Sequence, residues 1–208
     1  MNSLYCTDIR PLHADAALFE ACLPAGRARE MRRFRRREDQ LHCLSGWLLM
    51  ARFLGRDGRL DENTIGRGAH GKPYLPGGPH FNLSHSGNFT LLAVCEAPIG
   101  VDIEAHVPSD RHILAACFHP AEREYLAHAP TDEQFFDLWA LKESYLKMTG
   151  IGLFLDPASF CLRKQGWTAY MEEYSDLCFR TYDAIPGYSV AVCAETDRLP
   201  EKIVQVVF

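Results

Sequence analysis

Residues Ile99-Gly-Val-Asp-Ile-Glu104 alternate strictly between branched apolar side chains and small or acidic ones. Successive side chains of a strand point to opposite faces, so Ile99, Val101 and Ile103 share one face and Gly100, Asp102 and Glu104 the other. Two carboxylates then point the same way, each raising the other's pKa unless a positive charge lies between them. The apolar neighbours Val94, Cys95, Val101 and Ile103 favour a central, buried strand over an edge. A helical stretch, Trp139-Ala-Leu-Lys-Glu-Ser-Tyr-Leu-Lys147, offers a third carboxylate, Glu143, among Trp139, Tyr145 and Leu146. Glu143 and Lys147, at i and i+4, also read as a helical ion pair. Three acids converging on partly apolar ground suit a hard divalent cation, and Mg²⁺ brings substrate phosphates with it.

The 208 residues, 47% hydrophobic, suffice for one substantial core or two small ones of about 100 residues each. No stretch resembles a secretion signal or a membrane span; the apolar run Trp47–Met50 stops before Arg52. The eight cysteines include no C-x-x-C pair, and Cys43, Cys95 and Cys193 lie in apolar elements where a thiol behaves as a small hydrophobe. Neither a zinc site nor a disulfide framework is expected, and the chain reads as a reduced, cytoplasmic enzyme. The net charge of −5 is uneven: seven arginines between Arg27 and Arg37 face only Glu30, a local +6 that leaves −11 elsewhere. A basic island on an acidic chain suits a phosphate-bearing ligand. With only Phe34 interleaved, it does not suit nucleic acid.

The expected order begins with a strand at 3–10, a helix at 14–22 and an arginine-rich helix. That helix runs into an amphipathic one at 38–54, stopped by Gly55. Residues 55–80, rich in Gly, Pro, Arg and Asp, read as loop with short extended pieces. Phe81 and Leu83 alternate with Asn82 and Ser84 in a short strand; strands follow at 89–95 and 99–103. The second half repeats the plan, with helices at 120–128 and 132–149, the latter ended by Gly150. Strands come near 158–164, 167–172, 178–183, 187–194 and 203–207. Phe89-Thr-Leu-Leu-Ala-Val-Cys95 is echoed by Tyr188-Ser-Val-Ala-Val-Cys193, 98 positions on, and Gly55 by Gly150, 95 positions on. This register suggests a pseudo-twofold duplicated α+β protein. Each half is a small antiparallel sheet on a long helix, with the active site in the groove between them. The expected division is 1–101 and 102–208.

Two motifs mislead. Gly66-Arg-Gly-Ala-His-Gly71-Lys72 approaches both a dinucleotide fingerprint and a P-loop, yet no apolar strand precedes it and Pro73 stands where Ser or Thr is needed. Ser84-His85-Ser86 lacks the G-x-S-x-G of a nucleophile elbow. Beside a metal and Lys72, His85 suits donation to a phosphate.

Together Gly71-Lys72-Pro73, Phe81-Asn-Leu-Ser-His-Ser86, Gly100-Val-Asp-Ile-Glu104 and Trp139–Lys147 resemble, in order and spacing, the surfactin-synthetase-activating (Sfp) type of phosphopantetheinyl transferase. The resemblance implies a pseudo-twofold fold and transfer of 4'-phosphopantetheine from coenzyme A to a serine of an apo acyl or peptidyl carrier protein, releasing adenosine 3',5'-bisphosphate. Carriers of fatty-acid, polyketide and nonribosomal-peptide synthesis all fit. It further implies that Asp102, Glu104 and Glu143 ligate Mg²⁺, with Mn²⁺ as the alternative. Lys72, Pro73, Ser84 and His85 meet the coenzyme's phosphates and adenine end, together with Asp102 and Lys147 at the pyrophosphate, and Arg27 meets the ribose phosphate. Glu30 stands at a usually basic position. Phe118-His-Pro-Ala-Glu122 resembles the segment before the catalytic helix and adds Glu122 as a further acid. The serine proton goes to Glu143 or to a cation-bound water, with Glu122 behind, and Lys147 neutralises the leaving pyrophosphate. The apolar loop Thr149–Leu155 is the expected carrier dock, packing beneath the sheet being the alternative. A monomer without nucleic-acid or membrane partners is expected.

Overall fold

The computed structural model describes residues 2–107, 114–128, 131–172 and 174–208. Strands β1 (Ser3–Asp8), β4 (His80–Ser86), β5 (Phe89–Cys95) and β11 (Ile203–Gln205) form one sheet in the order β11-β1-β5-β4. A second sheet runs β6-β10-β9-β8-β7, from β6 (Ile99–Ala105), β7 (Arg163–Gln165), β8 (Thr168–Met171), β9 (Tyr174–Tyr182) and β10 (Tyr188–Ala194). Neighbours are antiparallel, except that β11 lies parallel to β1. Among the described residues the α-helices are α1 (Leu12–Glu20), α2 (Ala25–Met31), α3 (Arg37–Leu54), α4 (Pro120–Ala127) and α5 (Asp132–Thr149).

The apolar residues sort into three cores that explain why both central strands are almost wholly apolar. Leu41, Leu44 and Trp47 of α3 pack on Phe81, Leu92 and Val94 of the first sheet. Leu138, Leu141, Tyr145 and Met148 of α5 pack on Phe179, Ala191 and Cys193 of the second. Between the sheets lie Leu91, Ala93 and Cys95 from β5 against Ile99, Val101, Ile103, Val190 and Val192. The layers therefore run helix, sheet, sheet, helix, and β5 and β10 are covered on both faces. Burying each such aliphatic side chain contributes about 1.5–3 kcal/mol.

The expected alternation of β6 holds, since Ile99, Val101 and Ile103 face the other sheet. By pairing, however, β6 is the edge strand of its sheet, not a central one. Its outward N–H groups are met by side chains of β4. Asn82 Oδ1 accepts from Val101 (2.9 Å), Ser84 Oγ from Ile103 (3.3 Å) and Ser86 Oγ from Ala105 (3.0 Å). An edge that would otherwise leave donors unpaired is thus closed, and the two sheets are locked together along it.

Other differences follow from local physics. The arginine segment does not continue as helix: α2 ends at Met31 and residues 32–36 are non-helical and exposed, which spreads their like charges. Near 158–164 a 3₁₀ turn (Pro157–Ser159) precedes β7 where one strand was expected. The Gly66–Lys72 stretch, read as loop with short extended pieces and not as a phosphate loop, is a hairpin with β2 (Gly66–Arg67) paired to β3 (Pro73–Tyr74). The expected division at 101/102 falls inside β6, and β11 returns to the first sheet.

Candidate active site

Gly100 fixes the site's geometry. A Cβ there would collide with the backbone of Ser144 and Met148, so its absence lets α5 lie directly on β6. Helix α5 is N-capped by Thr131, whose side chain accepts from Gln134 N–H, and stops at Gly150 in the left-handed region (φ 73). Between these ends, Trp139, Glu143 and Lys147, four residues apart, share the face over Asp102 and Glu104.

The Lys147 ammonium pairs with Asp102 Oδ1 and donates to Ser84 Oγ at 2.9 Å. Ser84 in turn donates to Asp102 Oδ1 at 2.9 Å. Trp139 Nε1–H donates to Glu104 Oε1 at 3.1 Å. Asp102 is 1% exposed, and its buried Oδ2 has no hydrogen-bond partner among the described residues. Burial, then the nearby Asp102, pushes the Glu104 carboxyl up to about 8, against the opposing pull of Lys147 and Trp139. Burial, again followed by Asp102, raises Glu143. For Lys147 burial works downward, but Asp102, with Glu143 and Glu104, outweighs it and holds the ammonium above the ordinary lysine value.

Among the described residues no three His, Cys, Asp or Glu side chains are gathered into a metal-binding cluster as they stand. The chemistry of the three acids nevertheless fits a hard divalent cation. All are oxygen donors, one offers a buried carboxylate oxygen left bare among the described residues, and two have their ionised form disfavoured by burial and by Asp102. One ammonium against three carboxylates leaves negative charge for a cation to offset.

A cavity of about 220 Å³ opens between α2, α3 and the β4–β5 hairpin, lined by Arg27, Glu30, Asp39, His42, Trp47 and His85, among others. The Arg27 guanidinium lies 5.2 Å from the Trp47 ring centre and pairs with Glu30 at 2.7 Å. His85 stacks on His42 with ring centres 4.4 Å apart. His42 is buried; its Nε2 faces Gly87 O at 3.1 Å and its Nδ1 faces Thr90 Oγ1 at 2.8 Å. Burial, then the neighbouring His85, lowers its pKa to about 4, so it stays neutral. Burial, then Lys147, also lowers His85. Of the seven arginines only Arg27 lines this cavity.

The structure therefore brings Ser84, Asp102, Glu104, Glu143 and Lys147 into one group and places Arg27 and His85 together beside it. Two expected residues stand differently. Lys72 directs its ammonium at main-chain carbonyls, Ile99 O and Met148 O, each at 2.9 Å; Pro73 follows it in the hairpin strand β3. Glu122 is sealed in an ion pair with Lys142, the two side chains 1% and 0% exposed. Its oxygens also accept from His119 and Leu162 N–H, and Lys142 donates to Phe160 O. Glu122 thus ties α4 and residues 160–162 to α5 rather than joining the carboxylate group. Sequence reasoning missed Asn82, Ser86 and His42. For the first two a signal existed, since their alternation with Phe81 and Leu83 marks one polar face.

Residues 98–193 match the family described as the 4'-phosphopantetheinyl transferase superfamily, and residues 8–97 match the 4'-phosphopantetheinyl transferase N-terminal family. The chain belongs to this superfamily of transferases. It is 37% identical over 186 residues to the 4'-phosphopantetheinyl transferase Sfp of Bacillus subtilis (strain 168), covering 84% of this chain and 83% of that one. A further Bacillus subtilis 4'-phosphopantetheinyl transferase is 38% identical over 197 residues, with 89% and 88% covered. The 4'-phosphopantetheinyl transferase gsp of Aneurinibacillus migulanus is 34% identical over 132 residues, with 61% and 56% covered. Among the described residues no helix is long and apolar enough to cross a membrane.

Proposed function

We propose that the chain transfers 4'-phosphopantetheine from coenzyme A to a serine of an apo acyl or peptidyl carrier protein, releasing adenosine 3',5'-bisphosphate. The observation that carries this reading is the Asp102–Lys147–Ser84 cluster with Glu104 and Glu143 in its field and one buried oxygen left bare. Asp102, Glu104 and Glu143 would hold Mg²⁺, or Mn²⁺, which when bound supplies Lewis-acid neutralisation of the pyrophosphate.

The chain's own groups do the rest. Arg27 and His85 take the nucleotide end in the cavity between α2, α3 and β4. Lys147, held over the site by Ser84, offsets charge on the departing bisphosphate oxygen. Glu143, whose carboxyl is raised by burial and by Asp102, accepts the serine proton as the hydroxyl oxygen bonds to phosphorus and the pyrophosphate P–O bond breaks. Trp139 steadies Glu104, and Glu122, through Lys142, steadies α5.

In this reading the chain acts as a cytoplasmic monomer. Residues 1–101 supply the nucleotide side and 102–208 the metal and carrier sides. The matched placement of α3 over β5 and of α5 over β10 supports descent from a duplicated unit. Ile151, Leu153 and Phe154, all exposed beyond the end of α5, support a carrier dock there.

Incubation with coenzyme A, Mg²⁺ and an apo carrier, read by intact mass, tests the function. Gain of one phosphopantetheine on the carrier is expected; an unchanged carrier together with intact coenzyme A overturns it.

A further inference from the structure

Five lysines serve a chain of 208 residues, and Lys72 lies against two elements of the site without a task in the transfer chemistry. Its ammonium lies 2.9 Å from Met148 O, in the last turn of α5, and 2.9 Å from Ile99 O, at the first residue of β6. These two elements carry the four charged groups of the cluster, Asp102 and Glu104 on β6 and Glu143 and Lys147 on α5; Ser84 joins them from β4. We propose that Lys72 is a positioning residue: it pins the end of α5 to the start of β6, and so sets how Glu143 and Lys147 meet Asp102 and Glu104.

Three further observations support this. First, the contact it bridges is one of backbone on backbone, because Gly100 has no Cβ to hold α5 away. There is no side-chain cushion to absorb a slip, so movement of the helix end is passed on to residues one turn back. Second, the Lys72 stem lies against Gly150, where a Cβ would come within 3.2 Å of Lys72 Cδ. Gly150 is left-handed to end the helix and also leaves room for the strut. Third, a cation at a helix C-terminus meets the negative end of the macrodipole and carbonyls that have no helical donor. Two of the ammonium's three N–H groups are committed to this task. Burial lowers its pKa to about 8, opposed by Cys193 and Glu195, as expected of an ammonium drawn into the protein.

The inference rests on the proposed transfer reaction, and the test separates the two. Wild type, Lys72→Met and Lys72→Arg are assayed with coenzyme A, Mg²⁺ and an apo carrier, well below each melting temperature. Lys72→Met keeps the stem and drops both bonds. Its kcat should fall about tenfold or more with the KM for coenzyme A within twofold, and the Mg²⁺ concentration for half-maximal rate should rise. Lys72→Arg keeps the charge, and a mere phosphate contact would leave it near wild type. Because the gap is sized for an ammonium, its kcat should fall too. This variant also decides the matter if Lys72→Met does not fold. A KM for coenzyme A that rises tenfold with kcat retained would make Lys72 a phosphate ligand and sink the proposal, as would unchanged kcat in both variants. A wild type without transfer would instead refute the function itself.

Discussion

Helices α3 and α5 have the same length, 18 residues, and the same situation, each lying on a sheet whose central strand is apolar on both faces. What they bury is different. The polar residues α3 buries are neutral, His42 and Ser45, and they bond to Thr90 and to the backbone. Helix α5 buries Asp137, Lys142 and Ser144 and holds Glu143 and Lys147 at the sheet seam. A neutral network costs little to keep and positions the ring stack beside the nucleotide cavity. A charged one is costly unless each charge is matched, so it belongs where the chemistry needs charge. The same layer was thus built twice, once as a platform and once as the reacting face.

The largest effect should come from unbalancing the charged layer away from the site. Lys142→Met leaves Glu122 buried and unpaired, and should cost about 3–5 kcal/mol in urea unfolding. Adding Glu122→Gln, which removes the stranded charge and keeps an acceptor for Leu162 N–H, should restore much of it. A single variant that loses under about 1 kcal/mol would mean the pair adds nothing to the layer, by the measure of exposed ion pairs such as Arg163–Glu172.

Within the site, Glu143→Gln should leave the fold and melting temperature in place while transfer falls by about 10²–10³-fold, the loss usual for a positioned charge-stabilising group. Near-normal turnover at saturating Mg²⁺ would remove Glu143 from its assigned role. No comparable loss is expected from Ser45→Ala on the neutral helix.

The neutral layer has its own signature, in pH. His42 titrates near 6.5 when unfolded and near 4 in the fold, so between these values the unfolded chain binds the extra proton. Stability therefore rises with pH there. His42's contribution is complete above 6.5 and is lost as pH falls toward 4, by about 3 kcal/mol. Urea midpoints measured from pH 7 to 4 should show this slope in wild type and a shallower one in His42→Asn. An equal slope in both would place the acid sensitivity elsewhere.

The same contrast separates what the letters disclosed from what they withheld. The α5 helix, its Gly150 stop, the apolar strands β5 and β10 and the alternation of β6 are local patterns, and all were legible in the sequence. So was the shared face of Asp102 and Glu104, because a strand's period is fixed. Withheld were the features made by distant partners: β11 beside β1, the Asn82-Ser84-Ser86 face closing the edge of β6, and the burial of Glu122 against Lys142. Nothing near Glu122 in the chain announces Lys142, and nothing around Lys72 announces the carbonyls of residues 99 and 148. The Gly55 and Gly150 parallel shows the limit most simply. Both end a helix, but Gly150 does so left-handed at φ 73, whereas Gly55 is extended at φ −83, and a Cβ there would meet the backbone of Arg59 and Ala51.

The smallest expected effect lies just beyond that left-handed glycine. Phe154 is 82% exposed, its ring 4.8 Å from that of His70 on the β2–β3 hairpin. An aromatic so placed contributes little to folding, so Phe154→Glu should move stability by less than about 0.5 kcal/mol. If the end of the charged helix receives the carrier, the same change should raise the carrier KM about tenfold, as removal of a modest interface anchor does, and leave the KM for coenzyme A alone. Steady-state assays varying each substrate in turn read both. Loss of folding would make Phe154 core, and an unchanged carrier KM would move the dock off this face of α5.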